Sequence, residues 1–137
     1  MYYAQKFNLN PADRIVVPIF QTGITKHHAI YLGLGLYGYE WIAENHANQG
    51  VRIITAEQYF NEHPKISRIE RFIGNSYQRK IAIENAQNLK GKQYDLFKYN
   101  CEHYANEIQH GQAQSGQVSG FFILASLFVF GCLIAAK

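Results

Sequence analysis

The chain has 137 residues, of which 13 are basic and 10 acidic, giving a formal charge of +3, and it has two cysteines. The charge is small and dispersed, and no nucleic-acid-binding motif is present, so we expect no nucleic-acid partner. Two cysteines exclude a disulfide framework and favour a reducing compartment. With an apolar C-terminal stretch set aside, the length suffices for one domain with its own core.

The N-terminal half predicts mainly strands. No basic segment followed by an apolar core opens the chain, which indicates no signal peptide. Arg14 to Phe20 is a short apolar run that Pro18 interrupts, a pattern typical of an edge strand. Three more strands are predicted at His27 to Leu34, Tyr39 to Glu44 and Val51 to Ile54. The first two of these form a hairpin through the glycine-rich stretch between them.

Short helices and one more strand are predicted next. Thr55 to Gln58 has the spacing of a capping box, which predicts a helix over Ala56 to Asn61. Ile66 to Ile73 alternates loosely and predicts a further strand. Ser76 can cap a helix over Tyr77 to Leu89. The apolar face of that helix would contain Ile81, Ala82, Ala86 and Leu89.

A final helix follows Asn100, which can act as its cap. The residues Cys101, Tyr104, Ala105 and Ile108 are spaced i, i+3, i+4 and i+7, and Gly111 can end the helix. This spacing places Cys101 on the face that packs inward. The whole pattern predicts an α+β fold, a small antiparallel sheet with helices packed on one side.

Cys101 is also a candidate nucleophile. In the first turn of a helix, unpaired backbone amides and the helix dipole favour a thiolate and can hold an oxyanion. The alternative is a small buried cysteine with only a packing role. A thiol needs a base, and His27 and His28 are neighbours on a strand, so they point to opposite faces. Periodicity does not select between them, although His28 shares its face with Ile30 and Leu32, which indicates core.

Two blocks of sequence resemble the lecithin:retinol acyltransferase-like proteins, which include the small membrane-anchored HRAS-like suppressor phospholipase/acyltransferases. Asn100 to Tyr104 is similar to that family's Asn-Cys-Glu-His-Phe block, and His27 to Gly33 resembles its His-X-X-Ile-Tyr-X-Gly strand. The resemblance implies a circularly permuted papain-like fold. It also implies that Cys101 is the nucleophile and His27 the general base.

The third member of the site is where the sequence departs from the family. The family usually has a second histidine on the next strand, which orients the first. Here Glu44 is the first choice, because a carboxylate can hold an imidazole and stabilise its charged form. Asn45 and His46 are close rivals. A solvated charge at the end of the strand is the alternative for Glu44.

We expect neither a metal nor a cofactor. Cys101, His103 and His27 could supply zinc ligands, but no second nearby cysteine or Cys-X-X-Cys spacing supports such a site. His103 lies within the cysteine block, but on a helix it faces away from Cys101. We therefore interpret His103 as structural.

The C-terminal stretch predicts a membrane anchor. Gly120 to Ala136 carries no charge, and Lys137 follows it. As a helix this run would be roughly 25 Å long, against about 30 Å of bilayer hydrocarbon. Residues 112–119 are small and polar and predict a flexible linker between a domain over residues 1–111 and the anchor. An anchor placed there favours a domain that faces the cytoplasm. The alternatives are a buried core helix and an oligomer interface.

The resemblance implies attack by Cys101 on a phospholipid ester, an acyl-cysteine intermediate, and transfer of the acyl group to water or another acceptor. The expected partners are a phospholipid membrane and an acyl-lipid substrate, and the tail could also support a homo-oligomer. One alternative is a papain-like peptidase or amidase. Another is a membrane-attached effector whose tails assemble and perturb the bilayer.

Overall fold

The computed structural model describes residues 2–19 and 25–119, and a five-stranded antiparallel sheet lies at its centre. The strands are β1 (Arg14–Pro18), β2 (Lys26–Leu34), β3 (Glu40–His46), β4 (Gly50–Thr55) and β5 (Arg68–Glu70). The helices are α1 (Tyr3–Phe7), α2 (Ala56–Glu62), α3 (Ser76–Asn88) and α4 (Cys101–His110), with a 3-10 turn at Leu36–Gly38. The α+β class predicted from the sequence is confirmed.

The order of strands in the sheet is β4-β3-β2-β1-β5. Strand β1 therefore lies between β2 and β5, and the prediction of an edge strand from its proline is wrong. Pro18 is the last residue of β1 and pairs with Lys26 of β2. On the other side, β5 reaches only as far as Val16, which pairs with Arg68. The missing amide of the proline therefore interrupts no ladder with β5.

Helices pack against both faces of the sheet, and the expectation of one covered face is wrong. On one face, Ile30 and Ala43 pack with Tyr104 of α4 in a cluster that also includes residues of α3. On the other face, Ile15 and Ala29 pack with α2, and α1 adds partly buried side chains. The side chains of the central strands are apolar on both faces of the sheet, so each face is buried by packing against helices.

The helix boundaries follow side-chain caps. Thr55 caps α2 by accepting a hydrogen bond from the Gln58 amide at 3.2 Å, as predicted. Asn75, rather than Ser76, caps α3, and it forms a capping box with Gln78. Ile81 is 37 % exposed and does not belong to the buried face of α3. The cap thus shifts the helix start by one residue.

Helix α1 has no counterpart in the sequence prediction. Its first amides, those of Tyr3 and Ala4, donate to the Glu40 carboxylate at 2.6 and 2.7 Å. Glu40 pairs with Leu34, at the opposite end of β2 from Lys26. A carboxylate distant in sequence therefore supplies the acceptors for the first turn of α1, which local patterning does not reveal.

Within residues 2–19 and 25–119, no helix is both long and apolar enough to cross a membrane. The predicted anchor, residues 120–137, lies outside the described residues.

Candidate active site

Cys101 is the first residue of α4, and its position is fixed by a reciprocal cap. The side-chain oxygen of Asn100 accepts hydrogen bonds from the amides of Glu102, at 2.9 Å, and His103, at 3.1 Å. In return, the Asn100 amide donates to Nδ1 of His103 at 3.2 Å. His103 thus completes a capping box, in agreement with its structural interpretation. The thiol is buried, with only 5 % of the residue exposed.

The same cap limits which amides can stabilise an oxyanion. The amides of Glu102 and His103 already donate to the side chain of Asn100. Of the first three amides of the helix, that of Cys101 is therefore the one left to donate to an oxyanion. The Sγ atom lies 3.8 Å from the carbonyl oxygen of Lys26, the first residue of β2. The start of α4 and the start of β2 therefore meet at the thiol.

His27, the second residue of β2, joins Cys101 to Glu44. Its Nε2 atom is hydrogen-bonded to Oε2 of Glu44, and Cys101, which lines the same cavity as His27, also raises the pKa of its imidazole. Because Nε2 faces the carboxylate, Nδ1 is the ring nitrogen left for the thiol. The structure therefore brings Cys101, His27 and Glu44, three residues far apart in sequence, together at one site, with the imidazole between the thiol and the carboxylate.

His27 and Glu44 each stabilise the charged form of the other. Burial lowers the pKa of His27, but the interactions with Cys101 and Glu44 outweigh burial and raise this pKa to about 9. Burial raises the pKa of Glu44, but His27 and Arg52 outweigh it and hold this pKa below its usual value. At neutral pH the imidazole is protonated and the carboxylate is ionised.

Among the three candidates for the orienting position, only Glu44 contacts His27. Glu44 pairs with Ala29, so its fully buried side chain lies on the same face as His27, and its Oε1 accepts from Arg52 Nε at 2.6 Å. Asn45 points to the other face and donates to the Tyr99 carbonyl at 2.7 Å. His46 accepts a hydrogen bond from the Asn48 amide at 3.3 Å.

His28 lies on the opposite face of β2, with Ile30, as its neighbours in the sequence indicated. Its Nδ1 accepts a hydrogen bond from Nε of Arg14 at 2.8 Å, and it is 2 % exposed. Burial and the Arg14 guanidinium lower the pKa of His28 to about 3, so it is neutral. Of the two histidines, His27 is therefore the one that lies beside Cys101.

A cavity of about 480 Å³ opens onto the thiol and the imidazole. Pro18, Ile19 and Pro64 form an apolar part of its wall. His63, the residue that follows α2, also lines this cavity and was not singled out from the sequence. A histidine at a helix end before a proline carries no local signal of a site. Only the packing of α2 on the sheet brings it here.

The last described residues also reach this edge of the sheet. The Gln117 side chain accepts a hydrogen bond from the Lys26 amide at 3.1 Å and donates to the Lys26 carbonyl at 3.3 Å. Ser115 donates to the Glu102 carboxylate at 2.6 Å. The segment that was predicted as a linker is therefore hydrogen-bonded beside the thiol along part of its length.

A buried cysteine beside an imidazole that is hydrogen-bonded to a carboxylate, at the wall of a cavity, is an arrangement typical of thiol-dependent hydrolases and acyltransferases. The family model described as lecithin retinol acyltransferase matches residues 38–114, more than half of the chain. The chain belongs to this family, which confirms the resemblance found in its sequence. The matched segment contains Cys101 and Glu44, whereas His27 lies before it.

Two curated relatives are similar over shorter segments. Phospholipase A and acyltransferase 3 of Homo sapiens is 41% identical over 51 residues, which are 36% of this chain and 32% of the relative. The protein of the same name from Pongo abelii is 44% identical over 46 residues, 32% of this chain and 28% of the relative. The alignments thus span about a third of the length of these relatives.

Proposed function

We propose that this protein is a membrane-anchored, cysteine-dependent acyl hydrolase or acyltransferase that acts on phospholipid esters through an acyl-cysteine intermediate. The observation that carries the proposal is the line from Cys101 through His27 to Glu44. Membership of the lecithin retinol acyltransferase family and the names of the two relatives support the choice of acyl chemistry.

In the first half of the reaction, the Cys101 thiolate attacks the carbonyl carbon of the ester. The carbonyl oxygen becomes an oxyanion, for which the Cys101 amide is the proposed donor. The tetrahedral intermediate collapses, the ester C–O bond breaks, and the leaving alkoxide takes the proton from Nδ1 of His27. The product is a thioester on Cys101 and a free lysolipid.

In the second half, His27 is neutral and acts as the base. Water, an amine or a hydroxyl group loses its proton to Nδ1 as it attacks the thioester carbon, and the thiolate of Cys101 leaves. Glu44 keeps Nε2 protonated and orients the ring through both halves. The nature of the acceptor decides between hydrolysis and acyl transfer.

The surroundings of the site fit a lipid substrate. The apolar wall formed by Pro18, Ile19 and Pro64 can contact an acyl chain. The proposed anchor over residues 120–137 would hold the domain at a bilayer, where its substrate is concentrated. Gln117, near the end of the described residues, is hydrogen-bonded to Lys26 beside the thiol, and the proposed anchor follows it in the sequence.

Intact-mass spectrometry after incubation with phosphatidylcholine in mixed micelles tests this proposal. We expect the native protein to gain the mass of one fatty acyl group and the Cys101→Ser variant to gain none. Released fatty acid is measured in the same samples, so that fast hydrolysis of the thioester is still detected. The absence of both the acyl adduct and released fatty acid would contradict ester chemistry. Turnover of amide substrates in place of esters would identify an amidase.

A further inference from the structure

A group of potential metal ligands includes His27 and Glu44 and adds His63 to them. The ligand atoms of His27, Glu44 and His63 all lie within 4.8 Å of one another. His63 stacks on His27 with ring centroids 5.2 Å apart. His63 comes from the end of α2, so two elements of the fold converge on one face of the buried Glu44 carboxylate.

His63 has an unsatisfied nitrogen in this group. Within the described residues, the buried side-chain polar atoms without a hydrogen-bond partner are Nε2 of His63, the hydroxyl of Tyr59 and Oδ1 of Asn45. His63 and Asn45 line the cavity, and the Tyr59 ring is 4.8 Å from the His63 ring. Buried polar atoms without partners are rare in native folds. Of these three atoms, Nε2 of His63 is the one that belongs to the group of potential ligands, and a bound species would give it a partner.

We propose that His27, Glu44 and His63 bind a single zinc ion, and that this ion reversibly inhibits the enzyme by occupying Nε2 of His27. This inference rests on the proposed function for its inhibitory part. The binding part stands on the geometry of the three side chains alone. The site differs from the one that the sequence disfavoured, because it uses neither Cys101 nor His103.

The donor set favours a transition metal over a hard cation, and zinc is the ion that we propose. Two imidazole nitrogens and one carboxylate oxygen suit zinc, whereas magnesium and calcium prefer sites made only of oxygen. Tetrahedral bonds of about 2.0–2.1 Å need donor atoms about 3.3 Å apart. The observed limit of 4.8 Å therefore requires His63 to move inward by the order of an ångström, while Nε2 of His27 and Oε2 of Glu44, which are hydrogen-bonded to each other, separate to admit the ion. His63 is only half-buried at a helix end and can supply this movement.

The surroundings favour exchange over permanent occupancy. Oε1 of Glu44 is held by Arg52 at 2.6 Å, so only Oε2 is left for the ion. The positive charge of the Arg52 guanidinium, which is bound to the same carboxylate, also repels the zinc ion. Three protein ligands beside an open cavity leave a fourth position for water. These features are typical of an ion that equilibrates with solution and not of one that holds the fold together.

Zinc at this position would block catalysis without touching the thiol. The ion takes the place of the proton between Nε2 of His27 and Glu44. The imidazole then carries its remaining proton on Nδ1, where it faces Cys101. Nδ1 has no lone pair with which to accept a proton from the thiol or from water. The His27 ring is thus bound in place but unable to act as the base.

Isothermal titration of zinc chloride into the full-length, EDTA-treated protein tests the binding part. We expect one zinc ion per native chain and unchanged binding by Cys101→Ala. His63→Gln and His63→Phe should each weaken binding at least tenfold, and the phenylalanine keeps the stacked ring while it removes the nitrogens. His110→Gln, at the exposed end of α4, is the matched control and should bind as the native protein does.

Two outcomes would overturn this site. Loss of binding in Cys101→Ala would place the ion on the thiol, and full binding in both His63 variants would show adventitious zinc elsewhere. Inhibition of ester turnover by zinc, absent in His63→Phe, would support the regulatory part, and equal inhibition of that variant would contradict it. Calorimetry needs no turnover, so the binding result is distinguishable from a failure of the proposed function.

Discussion

Two adjacent histidines of β2 have opposite chemical environments. His27 meets a thiol and a carboxylate, which raise its pKa to about 9. His28, one residue further on, is buried against the Arg14 guanidinium, and its pKa falls to about 3. Alternation along the strand sends the two side chains to different faces of the sheet. The same residue type therefore holds a proton at neutral pH on one face and serves as a neutral acceptor on the other.

The contrast shows that the partners of a histidine decide its role more than burial does. Both side chains are largely buried, and burial lowers the pKa of each. Interactions with Cys101 and Glu44 reverse that effect for His27, whereas the cationic Arg14 reinforces it for His28. Substitutions on the two faces should therefore change different properties, activity on one and stability on the other.

The largest expected effect is the loss of turnover in His27→Ala. Removal of the group that is proposed to move both protons should lower kcat in the proposed reaction on phospholipid esters by about 10²–10⁴-fold. Steady-state release of fatty acid measures this effect, and circular dichroism checks that the variant is folded. Turnover within twofold of the native rate would contradict the assignment of His27 as the base.

Glu44→Gln should have an intermediate effect, because an amide can still orient the imidazole but cannot stabilise its charge. We expect kcat to fall roughly tenfold. In the native protein, activity should decline as pH rises through about 9, where His27 loses the proton it delivers to the leaving group. Without the carboxylate this pKa is lower, so the decline should begin at a lower pH.

Glu62→Gln is the matched control for that variant. Glu62 is also a partner of Arg52, at 2.5 Å, but the described structure shows no hydrogen bond between it and His27. A pH profile recorded across pH 5–10 should therefore stay unchanged in Glu62→Gln. Equal shifts in the two variants would assign the effect to Arg52 and not to His27.

His28→Ala should sharpen the contrast by changing stability alone. The substitution leaves a cavity and removes the acceptor of the buried Arg14 Nε, so the free energy of unfolding should fall by about 2–4 kcal/mol. Denaturant titration measures this loss. The folded variant should retain kcat within about twofold, and a loss comparable to that of His27→Ala would mean that the two faces are not separate.

The smallest expected effect concerns the cap that positions the thiol. Asn100→Ala should lower the free energy of unfolding by about 1 kcal/mol. Asn75→Ala, at the cap of α3, should cost about the same, but only Asn100→Ala should reduce kcat, because α4 alone carries Cys101. Equal kcat values for the two variants would show that the cap does not determine the position of the thiol.

Local patterns were sufficient to predict most of the elements. The i, i+3, i+4, i+7 spacing from Cys101 and the stop at Gly111 predicted α4, and both are confirmed, since Gly111 ends the helix with a φ of 72°. The packing of helices on both faces was not predicted. Alternation of apolar and polar residues identifies the buried face of a strand only when the other face is polar. The central strands here are apolar on both faces, so their pattern does not show which face is covered.

The third member of the site needed the register of the sheet. Glu44 and His46 share a face, and only the pairing of Ala29 with Glu44 places the carboxylate diagonally across from His27. A shift of the register by two residues would have favoured His46 without changing the local pattern. His63 was missed because its position depends on how α2 packs, which no spacing within the sequence reveals.

The two ends of the described domain lie at opposite ends of β2, and this arrangement guides the attachment of a label. Helix α1 is bonded to Glu40 at the far end, whereas Gln117 is bonded to Lys26 beside the thiol. The length of β2 separates these points by roughly 26 Å. A fluorophore or affinity tag fused ahead of α1 should leave substrate access unobstructed, whereas a bulky group inserted after Gln117 would crowd the cavity mouth.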